Sequence, residues 1–323
     1  MDILSLASGN LLQPAVLFFV LGLGAGFARS DLVIPDGVVK TMALYLMLCI
    51  GFRGGVEAAK VGLSAGFLTS AATSVLLSVG LPVLAFVGLA AFGALSRVTR
   101  AATAAHYGSV SAVTYAASSE YLHAQGVPVA GYMAAVVALM ETPAIVSGLM
   151  LAGRTDRSGT PGAKGALFRE VLLNGTVVLL LGAFAIGAIT GEPGMKRIEL
   201  FVNPLFQGVL CLFLLEMGLV ASRRLTETNR LTIRLVLFGI LMPLVSMSLA
   251  FGLCAALGVP AENRALMATL AASASYIAVP AAMNLALPEA DAGVYLPLAL
   301  GITFPFNIIV GIPLYFGLSH VVG

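Results

Sequence analysis

The chain has 323 residues, of which 59% are hydrophobic and 10% charged, with a formal net charge of +2. An ordinary soluble domain carries roughly 25% charged residues, and so few charges cannot cover a water-facing surface. The composition excludes a soluble enzyme, a nucleic-acid binder and a disordered scaffold, and the small net charge gives no reason to expect a polyanionic partner.

Apolar runs long enough to cross a bilayer, which takes about 20 residues, recur along the chain. They predict an all-α polytopic membrane protein. Ten spans are expected in chain order: Leu11–Ala28, Pro35–Gly51, Leu63–Ala94, Thr99–Tyr121, Val129–Ala152, Leu167–Thr190, Pro204–Ala221, Thr232–Leu257, Asn263–Leu285 and Val294–Val321. Turn residues separate them, such as Arg29-Ser30-Asp31, Gly191-Glu192-Pro193-Gly194 and Pro288-Glu289-Ala290-Asp291. The long third span holds Pro82 and is expected to be one tilted or kinked helix. Met1–Asn10 lacks Lys and Arg and has no separate apolar region before a cleavage site, so the first span is expected to belong to the mature chain. Cys49, Cys211 and Cys254 lie far apart in apolar runs and are expected to be small buried hydrophobes.

Basic residues orient the spans. One side holds Arg53, Lys60, Lys196, Arg197 and Arg264, and the other holds the remaining twelve of the seventeen. The positive-inside rule places both termini outside the cytoplasm. The most polar stretch, 153–165, is expected to be a cytoplasmic linker between residues 1–152 and 166–323.

Those two halves echo each other. Arg100-Ala101 followed by Ser109-Val110-Ser111 matches Arg264-Ala265 followed by Ser273-Ala274-Ser275, at one constant offset of about half the chain. Tyr132, Pro143 and Gly148 correspond to Tyr295, Pro305 and Gly311, and Ile50-Gly51 to Met217-Gly218. Five helices are an odd number, so the second copy must be inserted upside down. The expected architecture is a pair of five-helix inverted-topology repeats, as in many secondary transporters.

Helices 4 and 9 are the weakest apolar segments of their halves. Gly108 and Pro280 are expected to break them. Broken helices expose backbone N–H groups that favour an anion, and Ser hydroxyls add donors. Ser109-Val110-Ser111 and Ser273-Ala274-Ser275 are therefore the candidate substrate site. The same small residues also serve close helix packing.

Glu141 lies near the centre of helix 5, where a carboxylate is costly and functional by default. It is the candidate for carrying a coupling cation or proton. Pro143 and Pro305 are expected to interrupt helices 5 and 10 and free carbonyls. Thr142, Thr303 and Asn307 beside them, with Thr114 and Tyr276 near the breaks, are candidate neutral ligands or packing groups. Glu216 sits close to Arg223-Arg224, which favours a local ion pair, and His106 is either a relay or a hydrogen-bonded core group.

These residues resemble the sodium-dependent bicarbonate transporter family of cyanobacteria and many other bacteria, nearly end to end. The resemblance runs through Leu32-Val33-Ile34-Pro35, Ile50-Gly51-Phe52-Arg53-Gly54-Gly55, Gly108-Ser109-Val110-Ser111, Thr142-Pro143-Ala144-Ile145-Val146, Asn203-Pro204-Leu205-Phe206-Gln207-Gly208 and Ala271-Ala272-Ser273-Ala274-Ser275. It implies a homotrimeric symporter in the bilayer of the cell's inner membrane. Its core would hold broken helices 4 and 9, with a gate of helices 1, 2, 6 and 7. Bicarbonate would bind near the crossing, coupled to a sodium ion. Cyanobacterial members are inhibited by a PII-like cytoplasmic regulator, but the linker here is far shorter than theirs. The family carries Asp where this chain has Tyr276 and Glu141, Ser at Ala278, and Gly-Ser at Ala112-Val113.

The leading expectation is sodium-coupled bicarbonate uptake by alternating access. A proton- or sodium-coupled carrier of a small carboxylate, and a non-transporting receptor or channel, are the alternatives. No magnesium-diphosphate, metalloprotease or serine-hydrolase motif is present to support an intramembrane enzyme.

Overall fold

The computed structural model describes residues 12–62, 64–92, 95–153 and 175–320. The expected linker falls almost wholly outside these residues, as does the start of the sixth span. All regular structure among the described residues is helical. It comprises α1 (Pro14–Phe27), α2 (Asp36–Val61), α3 (Ala65–Phe92), α4a (Arg97–Gly108), α4b (Ala112–Ala124), α5 (Met133–Ala152), α6 (Gly175–Val202), α7 (Pro204–Glu227), α8 (Ile233–Leu257), α9a (Ala261–Ala272), α9b (Ala278–Ala286) and α10 (Ala292–Ser319). Seven of these, α2, α3, α5, α6, α7, α8 and α10, are long and apolar enough to cross a membrane. The chain is a multi-pass membrane protein.

Local chemistry sets several helix ends. Pro14 opens α1, where its missing N–H leaves no bond unmade. Ser96 caps α4a by accepting the Thr99 N–H, and Thr232 caps α8 by accepting that of Leu235. Gly153 and Gly258 end α5 and α8 in the left-handed conformation that glycine adopts without strain.

The helices pack in two groups. In one, α1 lies along α7 and α2 along α6. Both seams are made by glycines. A methyl group on Gly22 would overlap the Leu215 carbonyl, and one on Gly218 the Phe19 carbonyl. Likewise, one on Gly55 would overlap the Phe184 carbonyl, and one on Gly187 that of Phe52. Backbones this close gain dispersion contacts that larger side chains would prevent. The other group contains α3, α4a, α5, α8 and α9a. Ser70, Thr73, Ser74 and Ser78 line the buried side of α3, and Ser78 donates to the Met140 carbonyl of α5 at 2.5 Å. Helix α10 touches both α7 and α8.

Several expectations need correction. Helix 2 does not stop at Gly51: α2 runs on to Val61, because Gly51 and Gly55 keep it seated on α6. Arg53 therefore lies inside a helix, with its guanidinium 4.2 Å over the Phe206 ring and 3.6 Å from Glu120 of α4b. Glu120 also accepts from Gln207 of α7 at 2.9 Å. Helicity continues past the Gly191 turn, which survives as a kink at φ 55° inside α6. Helix α5 runs unbroken through Pro143. Pro305 is accommodated in α10 between two π-helical stretches, Pro297–Thr303 and Asn307–Gly311; such stretches re-route hydrogen bonds around a missing N–H. The third span is, as expected, a single helix containing Pro82.

Candidate functional site

Helix 4 breaks at Ser109–Ser111 and helix 9 at Ser273–Ile277. Helix α4a ends at Gly108, where the Pro82 ring of α3 occupies the space a side chain would need. Pro280 does not itself break helix 9. It sits in the first turn of α9b, where proline is tolerated, and the non-helical residues precede it.

The two breaks bond to each other. The Ser111 N–H donates to Ser273 Oγ at 3.0 Å, and the Ser275 N–H donates to the His106 carbonyl at 2.8 Å. Farther along α4b, Ser118 Oγ donates to Thr269 Oγ1 at 3.2 Å. All four serines of the repeated motif are buried. Val110 and Ala274 stand between them, also buried. The sequence relates the two motifs only by analogy of the halves; the tertiary structure bonds the two breaks to each other.

The symmetry is incomplete at the level of hydrogen bonds. Ser273 Oγ donates to the Leu270 carbonyl at 2.8 Å. The corresponding acceptor for Ser109 would be the His106 carbonyl, which already receives the Ser275 N–H. Ser109 Oγ, in a residue 1% exposed, has no hydrogen-bond partner among the described residues. Ser111 Oγ caps α4b through the Thr114 N–H at 3.2 Å, whereas no side chain caps α9b. The first turn of α9b thus presents the positive end of its dipole with no side-chain cap on its backbone donors.

The candidate coupling residues fall into two sets. Thr303 and Asn307 are engaged in packing. Thr303 Oγ1 donates to the Gly239 carbonyl at 2.8 Å and lies 2.6 Å from the Tyr107 hydroxyl. Asn307 donates to the Ala272 carbonyl, the last of α9a, and accepts from Tyr315. Glu141 and Tyr276 are different. Glu141 is 5% exposed, makes no ion pair among the described residues, and its Oε2 has no hydrogen-bond partner. The Tyr276 hydroxyl is inaccessible and has no partner in good geometry. Thr142 is half-buried on α5, and Thr114 is buried in the first turn of α4b. The Glu216 carboxylate is buried and lies 3.6 Å from Arg223, the local ion pair expected. His106 is fully buried, with Nδ1 2.7 Å from the Ala102 carbonyl and its ring against Tyr295.

Sequence reasoning missed Tyr107, Ser78 and Glu120. Each sits in an ordinary apolar or mixed run, and each acquires a role only through a partner more than sixty residues away. Among the described residues no cluster of His, Cys, Asp and Glu could hold a metal ion. Cys49 and Cys254 are buried free thiols.

A pair of broken helices bonded at their breaks, with buried hydroxyls and an unpaired carboxylate in the same bundle, is suited to holding a small ion inside a membrane. No curated protein matches the chain. A family model does, over residues 14–320, and the chain accordingly belongs to the Na+-dependent bicarbonate transporter superfamily.

Proposed function

We propose that the chain takes up bicarbonate together with Na+ by alternating access, the anion binding where the breaks of helices 4 and 9 meet. The mutual bonding of those breaks, Ser111 N–H to Ser273 Oγ and Ser275 N–H to the His106 carbonyl, carries this reading. Two N-termini, α4b and α9b, start beside that crossing, and backbone donors there favour an anion without a fixed positive charge. Glu141 is the coupling residue in this reading. Thr142 and Thr114 are candidate auxiliary ligands, while Thr303 ties α10 to α8 and α4a and Asn307 ties it to α9a. The test is uptake of radiolabelled bicarbonate into proteoliposomes under an imposed Na+ gradient. Accumulation above the external concentration is expected; equilibration without accumulation would identify a channel instead.

Residues 1–152 and 166–323 act in this proposal as two inverted repeats. The seams support it. Gly22 of α1 meets α7 as Gly187 of α6 meets α2, and Gly218 of α7 meets α1 as Gly51 of α2 meets α6. The α1, α2, α6 and α7 group would be the static part against which the other helices move. Assembly as a trimer, and control by a PII-like cytoplasmic protein, extend the proposal from family resemblance alone.

Ser109 and Ser275, the motif serines whose hydroxyls neither cap a helix nor join the bond between the breaks, give a direct prediction. Losing a hydrogen bond to a charged partner costs roughly 1.5–3 kcal/mol, about ten- to a hundredfold in affinity. Ser109→Ala and Ser275→Ala are each expected to weaken bicarbonate binding by that order while the protein stays folded. Titration of the purified variants checks this, and unchanged affinity in both would leave the serines a packing role only.

The bias of basic residues predicts the orientation. A reporter fused after Gly323 should score on the periplasmic or extracellular side. A cytoplasmic signal would mean that one of the expected crossings, most plainly a broken one, does not traverse the bilayer.

A further inference from the structure

Tyr276 lies in the non-helical stretch that joins α9a to α9b, within the break itself. Its hydroxyl is buried and interacts with Ser111, the cap of α4b, but makes no hydrogen bond of good geometry among the described residues. Ser109 Oγ, in the opposite break, is the other buried hydroxyl there without a partner. Buried hydroxyls in native structures nearly always have a partner, and an orphan calls for a specific explanation. Two orphans flanking one crossing point to a shared acceptor.

The ring of Tyr276 is held in place. It packs edge-on against Phe304 of α10, with centroids 5.2 Å apart and planes at 71°. Phe304 in turn packs edge-on against Phe19 of α1 at 5.5 Å. This row of three aromatics carries Tyr276 to the boundary between the two groups of helices. A phenol fixed by such packing loses little freedom on forming a new hydrogen bond.

We propose that the Tyr276 hydroxyl donates a hydrogen bond to a small oxyanion seated at the crossing of the two breaks, and so helps select the transported anion. This rests on the transport reading only for the identity of the anion. A neutral phenol is an O–H donor as well as an acceptor. As a donor it recognises the oxygen of bicarbonate or a comparably small oxyanion. Its rigid ring bounds the site on one side, which disfavours carboxylates with bulky substituents. Ser109 Oγ is the second donor to the same anion. Tyr276 thereby becomes an anion ligand, not a ligand of the coupling cation.

The test compares parent and Tyr276→Phe by titrating bicarbonate, acetate and benzoate onto purified full-length protein. Na+ is then titrated separately at fixed bicarbonate. Phe keeps the ring and its contact with Phe304, so the thermal midpoint without ligand should not change. The expected result is bicarbonate affinity weakened about ten- to a hundredfold, with the Na+ dependence unaltered. Tyr276→Ala should in addition admit benzoate, which the parent rejects. Unchanged bicarbonate affinity in Tyr276→Phe overturns the proposal, as does a loss confined to Na+ affinity. A parent that binds none of these anions overturns it too. A parent that binds bicarbonate but accumulates none in proteoliposomes removes the transport reading alone, and the Phe variant still decides the role of Tyr276.

Discussion

Glu141→Gln is expected to abolish bicarbonate uptake driven by an ion gradient while leaving the protein folded. Glu141 lies in the unbroken middle of α5, beside Thr142 and Pro143. It is 5% exposed and makes no ion pair among the described residues, so nothing in the described protein balances its charge. A carboxylate in that position either binds a cation or carries a proton. Under the proposed mechanism, both options would link a cation to the movement of the helices that hold the anion. Gln keeps the size and most of the hydrogen-bonding capacity but not the charge. Gradient-driven accumulation should therefore fall to the level of empty liposomes, with an unchanged thermal midpoint and measurable bicarbonate binding. A Gln variant that accumulates bicarbonate with the Na+ and pH dependence of the parent would make Glu141 structural. Thr114 and Thr142 would then be the residues to test.

The second large effect concerns packing. Gly55→Val should destabilise the protein severely, because even the first carbon of the side chain would overlap the Phe184 carbonyl across the α2–α6 seam. A flexible side chain can move aside, but a helix backbone cannot do so without opening the seam. Overpacking is typically destabilising by about 1–3 kcal/mol, and by more when backbone must shift. Gly208→Ala is the matched control, since nothing lies within 4 Å of a methyl group there. In a helix that change is expected to be neutral or stabilising by up to about 1 kcal/mol. Thermal unfolding in lipid or detergent distinguishes the two. Equal midpoints for Gly55→Val and the parent would mean that α2 and α6 do not meet along these glycines.

The same seam explains why the second helix is longer than its hydropathy implies. Beyond Gly51 the residues Phe52-Arg53-Gly54-Gly55 look like a turn, since glycine weakens a helix and arginine is costly in lipid. In the folded chain the glycines are contact points on α6, and Arg53 finds Phe206 and Glu120. Local propensity lost to tertiary packing. Helix 5 shows the reverse error. A proline inside a helix removes one hydrogen bond, yet α5 stays continuous through Pro143 while packed against α3 and α4a.

The sequence by itself determined the membrane class, the order of the helices and the interruption of helices 4 and 9, although helix 9 breaks at Ser273–Ile277, ahead of Pro280. Those properties depend on composition and on short runs of Gly, Ser and Pro, which act within a turn or two of chain. It also singled out Glu141, because a carboxylate in an apolar run is anomalous wherever the run ends up. The tertiary structure alone decided which polar groups remain free to meet a ligand. Ser109 and Ser273 occupy matching positions, yet Ser273 Oγ bonds the Leu270 carbonyl and the Ser111 N–H, whereas the His106 carbonyl receives a residue from the other half of the chain and Ser109 Oγ has no partner among the described residues. Asn307 and Thr303 look as available as Tyr276 until Ala272, Tyr315, Gly239 and Tyr107 are brought to them. A hydrogen bond is satisfied by whichever partner the fold delivers, and most of these partners are remote in the chain.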